Sequence, residues 1–136
     1  MQLDLSLFPQ GLNRYLADSV SAAAQKASGI DLDYLNNRLQ EHLDRTKVAS
    51  QANPMVHVAL AEAVVNTYSV LIAQWDTLPE PAVPWLKAAM LYFVEVDDDD
   101  HDFDSPIGFE DDVEVLNACL RMAGLEELCL NPEDFD

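Results

Sequence analysis

The acidic segment VEVDDDDHDFDSPIGFEDD, residues 94–112, is the part of this sequence with the clearest capacity for chemistry. Clustered carboxylates repel one another until a cation, a proton or hydrogen-bond donors stabilise them. Carboxylate oxygens are also the ligands that Mg²⁺, Mn²⁺ and Ca²⁺ prefer. His101 is a candidate ligand for a softer metal, although a solvated histidine fits the same position. The candidate ligands for a divalent cation are six aspartates: Asp98, Asp100, Asp102, Asp104, Asp111 and Asp112.

The same carboxylates also fit a role without a metal. Acidic residues in the first turn of a helix are stabilised by the exposed amide groups and by the helix dipole, each by about 0.3–1 kcal/mol. Aspartates also cap helices and accept hydrogen bonds from loop amides. A solvated acidic face that caps the following helix is therefore the main alternative to a metal site.

A calcium-binding EF-hand loop can be tested by register. Such a loop takes ligands from positions 1, 3, 5, 7, 9 and 12, with glycine at position 6. A register that begins at Asp100 places aspartates at four of these positions, but Ser105 occupies the glycine position and precedes Pro106. A residue before proline is disfavoured in the sharp turn that glycine allows. The sequence therefore does not predict EF-hand geometry.

The acidic residues are concentrated in the last part of the chain. The formal net charge is −18; residues 1–87 contain nine acidic and six basic residues, whereas residues 88–136 contain sixteen acidic residues and one base, Arg121. Because nucleic acids and anionic membranes bind proteins through Lys and Arg, this composition argues against direct binding to either. The charge favours a basic protein as partner. The residues predicted to contact it are Glu95, Asp97, Asp99, Glu110 and Glu114.

Hydrophobic periodicity predicts an all-α fold of about five helices with almost no strand. A first helix is predicted from about Pro9 to Ser28, with Gly29 as its stop. A second helix is predicted to begin after the N-cap Asp31 and to reach about Arg45, because its leucines recur at helical spacings. The following VASQA is predicted as a looser link.

Proline and glycine mark the boundaries of the remaining helices. The Asn-Pro pair at residues 53–54 predicts the start of a third helix that reaches about Trp75, and its apolar content predicts that it is the central helix. The prolines of TLPEPAVP end that helix, and the apolar run WLKAAMLYFV predicts a packed fourth helix that leads into the acidic segment. A fifth helix is predicted from about residue 109 to residue 123, closed by Gly124.

The chain has the length and the apolar content of one compact domain, since 49% of its 136 residues are hydrophobic. We predict a single helical domain over residues 1–130 and a frayed acidic tail over residues 131–136. No apolar stretch approaches the roughly 18–20 residues of a membrane-spanning helix. The N-terminal residues lack the pattern of a secretory signal, so a cytoplasmic location is expected, with Cys119 and Cys129 reduced.

One set of spacings around the acidic segment has a counterpart in a known family. Tyr92, Asp98, Asp102, Gly108 and the Asp111-Asp112 pair fall on the pattern Y-x-x-x-P-x-D-x-x-P-D-x-x-P-x-x-G-x-x-D-D. This pattern is typical of the YkvA-like small helical domains, which residues 83–120 resemble. The resemblance implies a helical fold with an acidic cluster between two packed helices, and it implies no established reaction. The family's prolines are replaced here by Val96, His101 and Ser105.

Three functions are compatible with these features. The first is a non-enzymatic, acidic helical binding protein whose face from Glu95 to Glu114 engages a basic protein. Examples of such a partner are a toxin that it neutralises and a nucleic-acid-binding protein whose groove it fills as a polyanion mimic. The second is a divalent-cation-binding domain, and the third is a metal-dependent hydrolase whose aspartates activate water. The chain has no HExxH motif, no Glu-x-x-His pair and no glycine-rich phosphate loop, so we predict no catalytic residues.

Overall fold

The computed structural model describes residues 11–12, 14–52, 58–96 and 110–131, and these residues form an all-α bundle, as predicted. Short 3₁₀ turns at Trp75–Thr77 and Glu80–Ala82 join the third helix to the fourth, and another, Glu126–Leu128, follows the fifth. The described ranges contain no strand. The helices are α1 (Arg14–Ala27), α2 (Leu32–Ala52), α3 (Val58–Ala73), α4 (Val83–Val96) and α5 (Glu110–Met122).

Helix α4 lies at the centre of the bundle. Its residues 85–94 are buried except for Lys87, which is half-buried. It packs against α1, α2 and α5, because a helix that is apolar on nearly every side needs neighbours on several sides. Despite its apolar character, neither α4 nor any other helix in the described ranges has the length and hydropathy to cross a membrane.

The prediction that the third helix is central is wrong. Helix α3 packs mainly on α2, and its outer face, which includes Glu62, Asn66 and Ser69, is exposed. Its inner face buries Leu60, Val64 and the other apolar residues of one stripe. The apolar content of α3 therefore reflects one broad buried face and not burial on all sides.

The amphipathic helices α1 and α2 bury the stripes that their spacings predict. Leu16 and Val20 of α1 are fully buried, as are Leu35 and Leu39 of α2. The backbone carbonyl of Asp31 accepts a hydrogen bond from the Leu35 amide at 3.2 Å, as expected for the residue that precedes a helix.

Three helix boundaries differ from the sequence prediction or lie outside the described residues. Helix α2 continues through VASQA to Ala52, so the predicted loose link is wrong. Those five residues include neither glycine nor proline, and Ser50 Oγ donates to the Lys47 carbonyl without interrupting the helix. The predicted start of the first helix at about Pro9 is wrong, because Gly11 and Leu12 are not helical, Gly11 has a φ of 93°, and α1 begins at Arg14. The predicted start of the third helix at residues 53–54 lies outside the described residues.

The predicted end of α5 at Gly124 is confirmed. Gly124 adopts a φ of 75°, in the left-handed region that glycine occupies at low energy. The Leu125 amide donates to the Leu120 carbonyl at 2.8 Å and the Gly124 amide to the Arg121 carbonyl at 3.1 Å, which resembles the Schellman pattern of helix ends. This turn directs the following residues back along α5.

Candidate functional site

The ends of α4 and α5 border the acidic segment. Helix α4 ends at Val96, α5 begins at Glu110, and the two helices pack against each other. Asp97, Asp98, Asp99, Asp100, Asp102 and Asp104, together with His101, lie outside the described residues. Glu95, Glu110 and Asp111 belong to the helix ends, but only their backbone lies within the described structure.

Two acidic side chains in the first turns of α5 have opposite environments. Glu114 is exposed, whereas Asp112 is only 1% exposed and both of its carboxylate oxygens are shielded from solvent. Successive helical residues are rotated by about 100°, so these two side chains point in nearly opposite directions. Asp112 therefore belongs to the interior of the bundle and Glu114 to its surface.

Tyr68 of α3 is a buried polar side chain that interacts electrostatically with Asp112. The residue is completely buried, and its hydroxyl makes no hydrogen bond with the described residues. Burial raises the pKa of Tyr68 well above its usual value, and electrostatic interactions with Cys119 and Asp112 act in the same direction. The carboxylate of Asp112 is thus within electrostatic range of the Tyr68 hydroxyl.

Aromatic contacts connect Tyr68 to His42 of α2. The rings of His42 and Phe93 meet edge to face, with centroids 4.4 Å apart, and the Tyr68 ring lies 6.3 Å from that of Phe93. We call His42, Tyr68, Asp112 and Cys119 the buried polar cluster. Its members belong to α2, α3 and α5, and the ring of Phe93 in the central helix contacts the rings of both His42 and Tyr68.

The buried polar cluster is poorly suited to acid–base or nucleophilic catalysis. Burial, together with the positive charges of Arg45 and Arg38, lowers the pKa of His42 from 6.5 to about 4. Burial raises the pKa of Cys119 to about 12, and its thiol donates to the Trp85 carbonyl at 3.3 Å. A general base or a thiol nucleophile needs an ionisation near neutral pH, and neither His42 nor Cys119 provides one.

The described part of the chain contains no group of three or more His, Cys, Asp or Glu side chains arranged to hold a metal ion. Of the six predicted ligands, Asp112 is the one whose side chain is described, and it faces the interior. The predicted metal site therefore remains a prediction about residues that lie mostly outside the described ranges.

Sequence reasoning did not single out Tyr68 or the burial of His42, although the signal was present. His42 lies three residues after Leu39 and seven after Leu35, on the buried stripe of α2. Tyr68 lies four residues after Val64, on the buried stripe of α3. Helical periodicity alone thus places both polar side chains among core residues.

Comparison of the chain with protein-family models, curated proteins and solved structures gives no match. The resemblance to the YkvA-like domains therefore stays a prediction. Two of the residues on which it rests, Tyr92 and Asp112, are both buried in helices that pack against each other.

Proposed function

We propose that this protein is a non-enzymatic, acidic helical binding protein whose acidic face, from Glu95 to Glu114, engages a basic protein partner. The proposal depends on one observation, the segregation of charge along the chain. Residues 95–114 contain eleven acidic residues and no basic residue. Such a concentration of negative charge attracts a cationic partner and accelerates its association.

The positions of the basic residues support this proposal. Five of the seven bases belong to α1 and α2, where acidic residues of the same helices largely balance them. Arg38 and Arg45 lie close enough to His42 to lower its pKa. Even together, their two positive charges balance only a small part of the eleven acidic residues.

The other two bases do not lie at the acidic face. Lys87 is half-buried and donates a hydrogen bond to the Ile30 carbonyl, so its ammonium group contributes to the junction of α1 and α4. Arg121 lies near the other end of α5, roughly 17 Å from Glu110 along the helix at 1.5 Å per residue. The acidic face therefore retains a large excess of negative charge.

A pull-down with matched charge variants tests this function. The tagged full chain is incubated with lysate of its source cells at about 0.05 M and about 0.5 M NaCl, because exposed charges are strongly screened at the higher concentration. One variant combines Glu110→Gln, Asp111→Asn and Glu114→Gln in α5. The control combines Asp33→Asn, Glu41→Gln and Asp44→Asn in α2 and removes the same amount of charge from another helix.

We expect a basic protein to be retained at low salt, to dissociate at high salt and to be lost from the α5 variant but not from the α2 variant. Equal loss from both variants would show that net charge, and not the acidic face, causes retention. Retention that is unchanged at high salt would contradict a charge-steered interaction.

A divalent-cation-binding domain is the second candidate, and the burial of Asp112 favours it. The Asp112 carboxylate is buried in the first turn of α5, whereas the carboxylates of a solvated acidic face are exposed to water. Calorimetric titration with Ca²⁺, Mg²⁺ and Mn²⁺ and thermal melts test it. Under this function the cation raises the melting temperature of the native chain, and Asp112→Asn abolishes the rise whereas Glu114→Gln preserves it.

If no cation binds below millimolar concentration and the melting temperature does not move, both the cation-binding function and the metal-dependent hydrolase are excluded. The same outcome leaves the binding-protein proposal intact. The two candidates are therefore separated by one set of measurements.

A further inference from the structure

The C-terminal strap, residues 125–131, folds back along α5 and is held by the side chain of Asn117. Asn117 Nδ2 donates to the Leu130 carbonyl oxygen at 2.7 Å, and Asn117 Oδ1 accepts from the Leu130 amide at 2.8 Å. One side-chain amide thus satisfies both backbone groups of one residue. This pairing recognises a peptide backbone without reading the side chain that it carries.

Apolar side chains of the strap provide the second part of the attachment. Leu125, Leu128, Cys129 and Leu130 are partly buried and pack against the core. Cys129 has an extended backbone, with φ −60° and ψ 143°. Backbone pairing combined with apolar side chains in shallow contact is a general mode of peptide binding.

The hydrogen bonds between the strap and α5 centre on Asn117. The Cys129 thiol donates to the Asn117 carbonyl at 3.7 Å, whereas the Leu128 and Cys129 amides bond within the strap, to Leu125 and Glu126. Leu128, Cys129 and Leu130 are all only half-buried. An attachment of this kind opens at a lower free energy than a core helix.

Charged side chains of both signs lie at the strap. Glu126 and Glu127 are exposed and belong to the part of the chain that contains sixteen acidic residues and one base. That base, Arg121, forms a side-chain hydrogen bond with Cys129 and lies beside Gly11. Arg121 thus contributes to the attachment of the strap through Cys129.

We propose that the surface of α5 beside Asn117 is a binding site for a leucine-containing segment whose backbone pairs with the Asn117 side chain, and that the strap is its resident, exchangeable occupant. The site lies along the second half of α5 and is independent of the acidic face. A segment with the same chemistry, supplied in trans, binds when the strap is released. The strap therefore acts as an intramolecular competitor.

The test uses the full chain and a fluorescently labelled peptide of residues 125–131, LEELCLN, under reducing conditions. Leu130→Pro removes the backbone N–H that donates a hydrogen bond to Asn117 Oδ1, and it leaves the extended conformation of Cys129 allowed. The peptide binds only to molecules in which the strap is open, so its apparent affinity is proportional to the open fraction. We therefore expect Leu130→Pro to tighten peptide binding by at least about tenfold. Adding Asn117→Ala to that variant should abolish the gain.

Leu130→Ala is the matched control because it retains the Leu130 amide and carbonyl. We expect it to bind the peptide less tightly than Leu130→Pro does. Absence of peptide binding to a folded Leu130→Pro chain, or binding that Asn117→Ala does not weaken, would overturn the proposal.

Amide hydrogen exchange of the native chain tests the proposal without any substitution. The Leu130 amide should exchange at least about tenfold faster than the amides of Cys119 and Leu120, since local opening releases the strap while α5 stays folded. Exchange of Leu130 at the same rate as these core amides would mean that the strap opens only on global unfolding, which would refute an exchangeable occupant.

Discussion

At the scale of single residues, the bundle interior contains polar groups whose ionisation it suppresses. His42 is 2% exposed, and both of its ring nitrogens are shielded from solvent. The neutral imidazole is favoured there because transfer of a charged group out of water is unfavourable, and the charges of Arg45 and Arg38 act in the same direction. The stability of the fold is consequently linked to pH through this side chain.

We predict that the protein loses stability as the pH falls from about 6.5 to about 4. The pKa of His42 is about 4 in the folded chain against an ordinary value of 6.5, so the unfolded chain binds the proton first. The full loss is about 3 kcal/mol at roughly 1.4 kcal/mol per pKa unit, of which about 2 kcal/mol falls between pH 6.5 and pH 5.

Urea unfolding at pH 7 and pH 5 measures this loss, with His42→Leu as the comparison. The native chain should lose about 2 kcal/mol more than the variant, because the variant lacks the titrating imidazole. Equal losses in the two proteins would contradict the prediction, since every other titrating group is common to both.

The buried hydroxyl of Tyr68 leads to a prediction of opposite sign. A buried hydroxyl without a hydrogen bond is destabilising, so Tyr68→Phe should raise the free energy of unfolding by about 1 kcal/mol. Tyr15→Phe is the control, because Tyr15 is 72% exposed and its substitution should change little. Urea unfolding of both variants provides the measurement. A clear loss of stability in Tyr68→Phe would show that the hydroxyl is hydrogen-bonded in solution.

The orientation of Asp112 was predictable in principle but was obscured by its position. Asp112 lies four residues before Leu116 and seven before Cys119, on the buried stripe of α5. Acidic residues in a first helical turn are usually interpreted through the helix dipole, which says nothing about the side that they face. The identity of its buried neighbour Tyr68, about 45 residues earlier in the chain, depends on how α3 packs and is not encoded in local spacing.

At the scale of helices, the periodicity of apolar residues predicted the existence of all five but not their arrangement. Glycine and proline marked the ends of α3 and α5 well, because their backbone effects are local. The end of α2 was misjudged, since VASQA contains two alanines and a glutamine, which favour a helix, and no glycine or proline that would end one. The central position of α4 depends on which neighbours cover it, and α3 and α4 are similarly apolar in sequence.

The junction of α1 and α4 depends on a charged side chain, and its contribution can be measured. Lys87 Nζ donates to the Ile30 carbonyl, just beyond the end of α1. Lys87→Met retains an apolar stem and removes the charged donor, so it should lower the free energy of unfolding by about 1–2 kcal/mol.

Lys47→Met is the matched control for Lys87→Met. Lys47 forms an exposed ion pair with Glu62 at 3.8 Å, and exposed pairs of this kind contribute about 0–1 kcal/mol. Urea unfolding should therefore show a clearly larger loss for Lys87→Met. Equal losses for the two variants would imply that the Lys87 hydrogen bond contributes no more than a surface ion pair.

At the scale of the whole molecule, a formal charge of −18 is combined with a largely apolar central helix. Burial of α4 provides a large favourable contribution to folding, whereas repulsion among the acidic residues opposes the compact state. Because the acids are concentrated near one end of α5 and in the segment before it, relief of that repulsion stabilises the fold without changing the packing of the core.

This balance predicts that NaCl stabilises the protein and that divalent salts act in the same way at equal ionic strength. Raising NaCl from about 0.01 M to about 0.5 M shortens the screening length from about 30 Å to a few ångströms. A relief of about 1 kcal/mol corresponds to a rise in melting temperature of roughly 4 °C for a domain of this size.

Thermal melts in NaCl and in MgCl₂ or CaCl₂, matched for ionic strength, should therefore coincide if the acidic face is a solvated surface for a basic partner. A larger rise with a divalent cation at millimolar concentration, lost in Asp112→Asn and retained in Glu114→Gln, would instead demonstrate specific cation binding that involves the buried carboxylate.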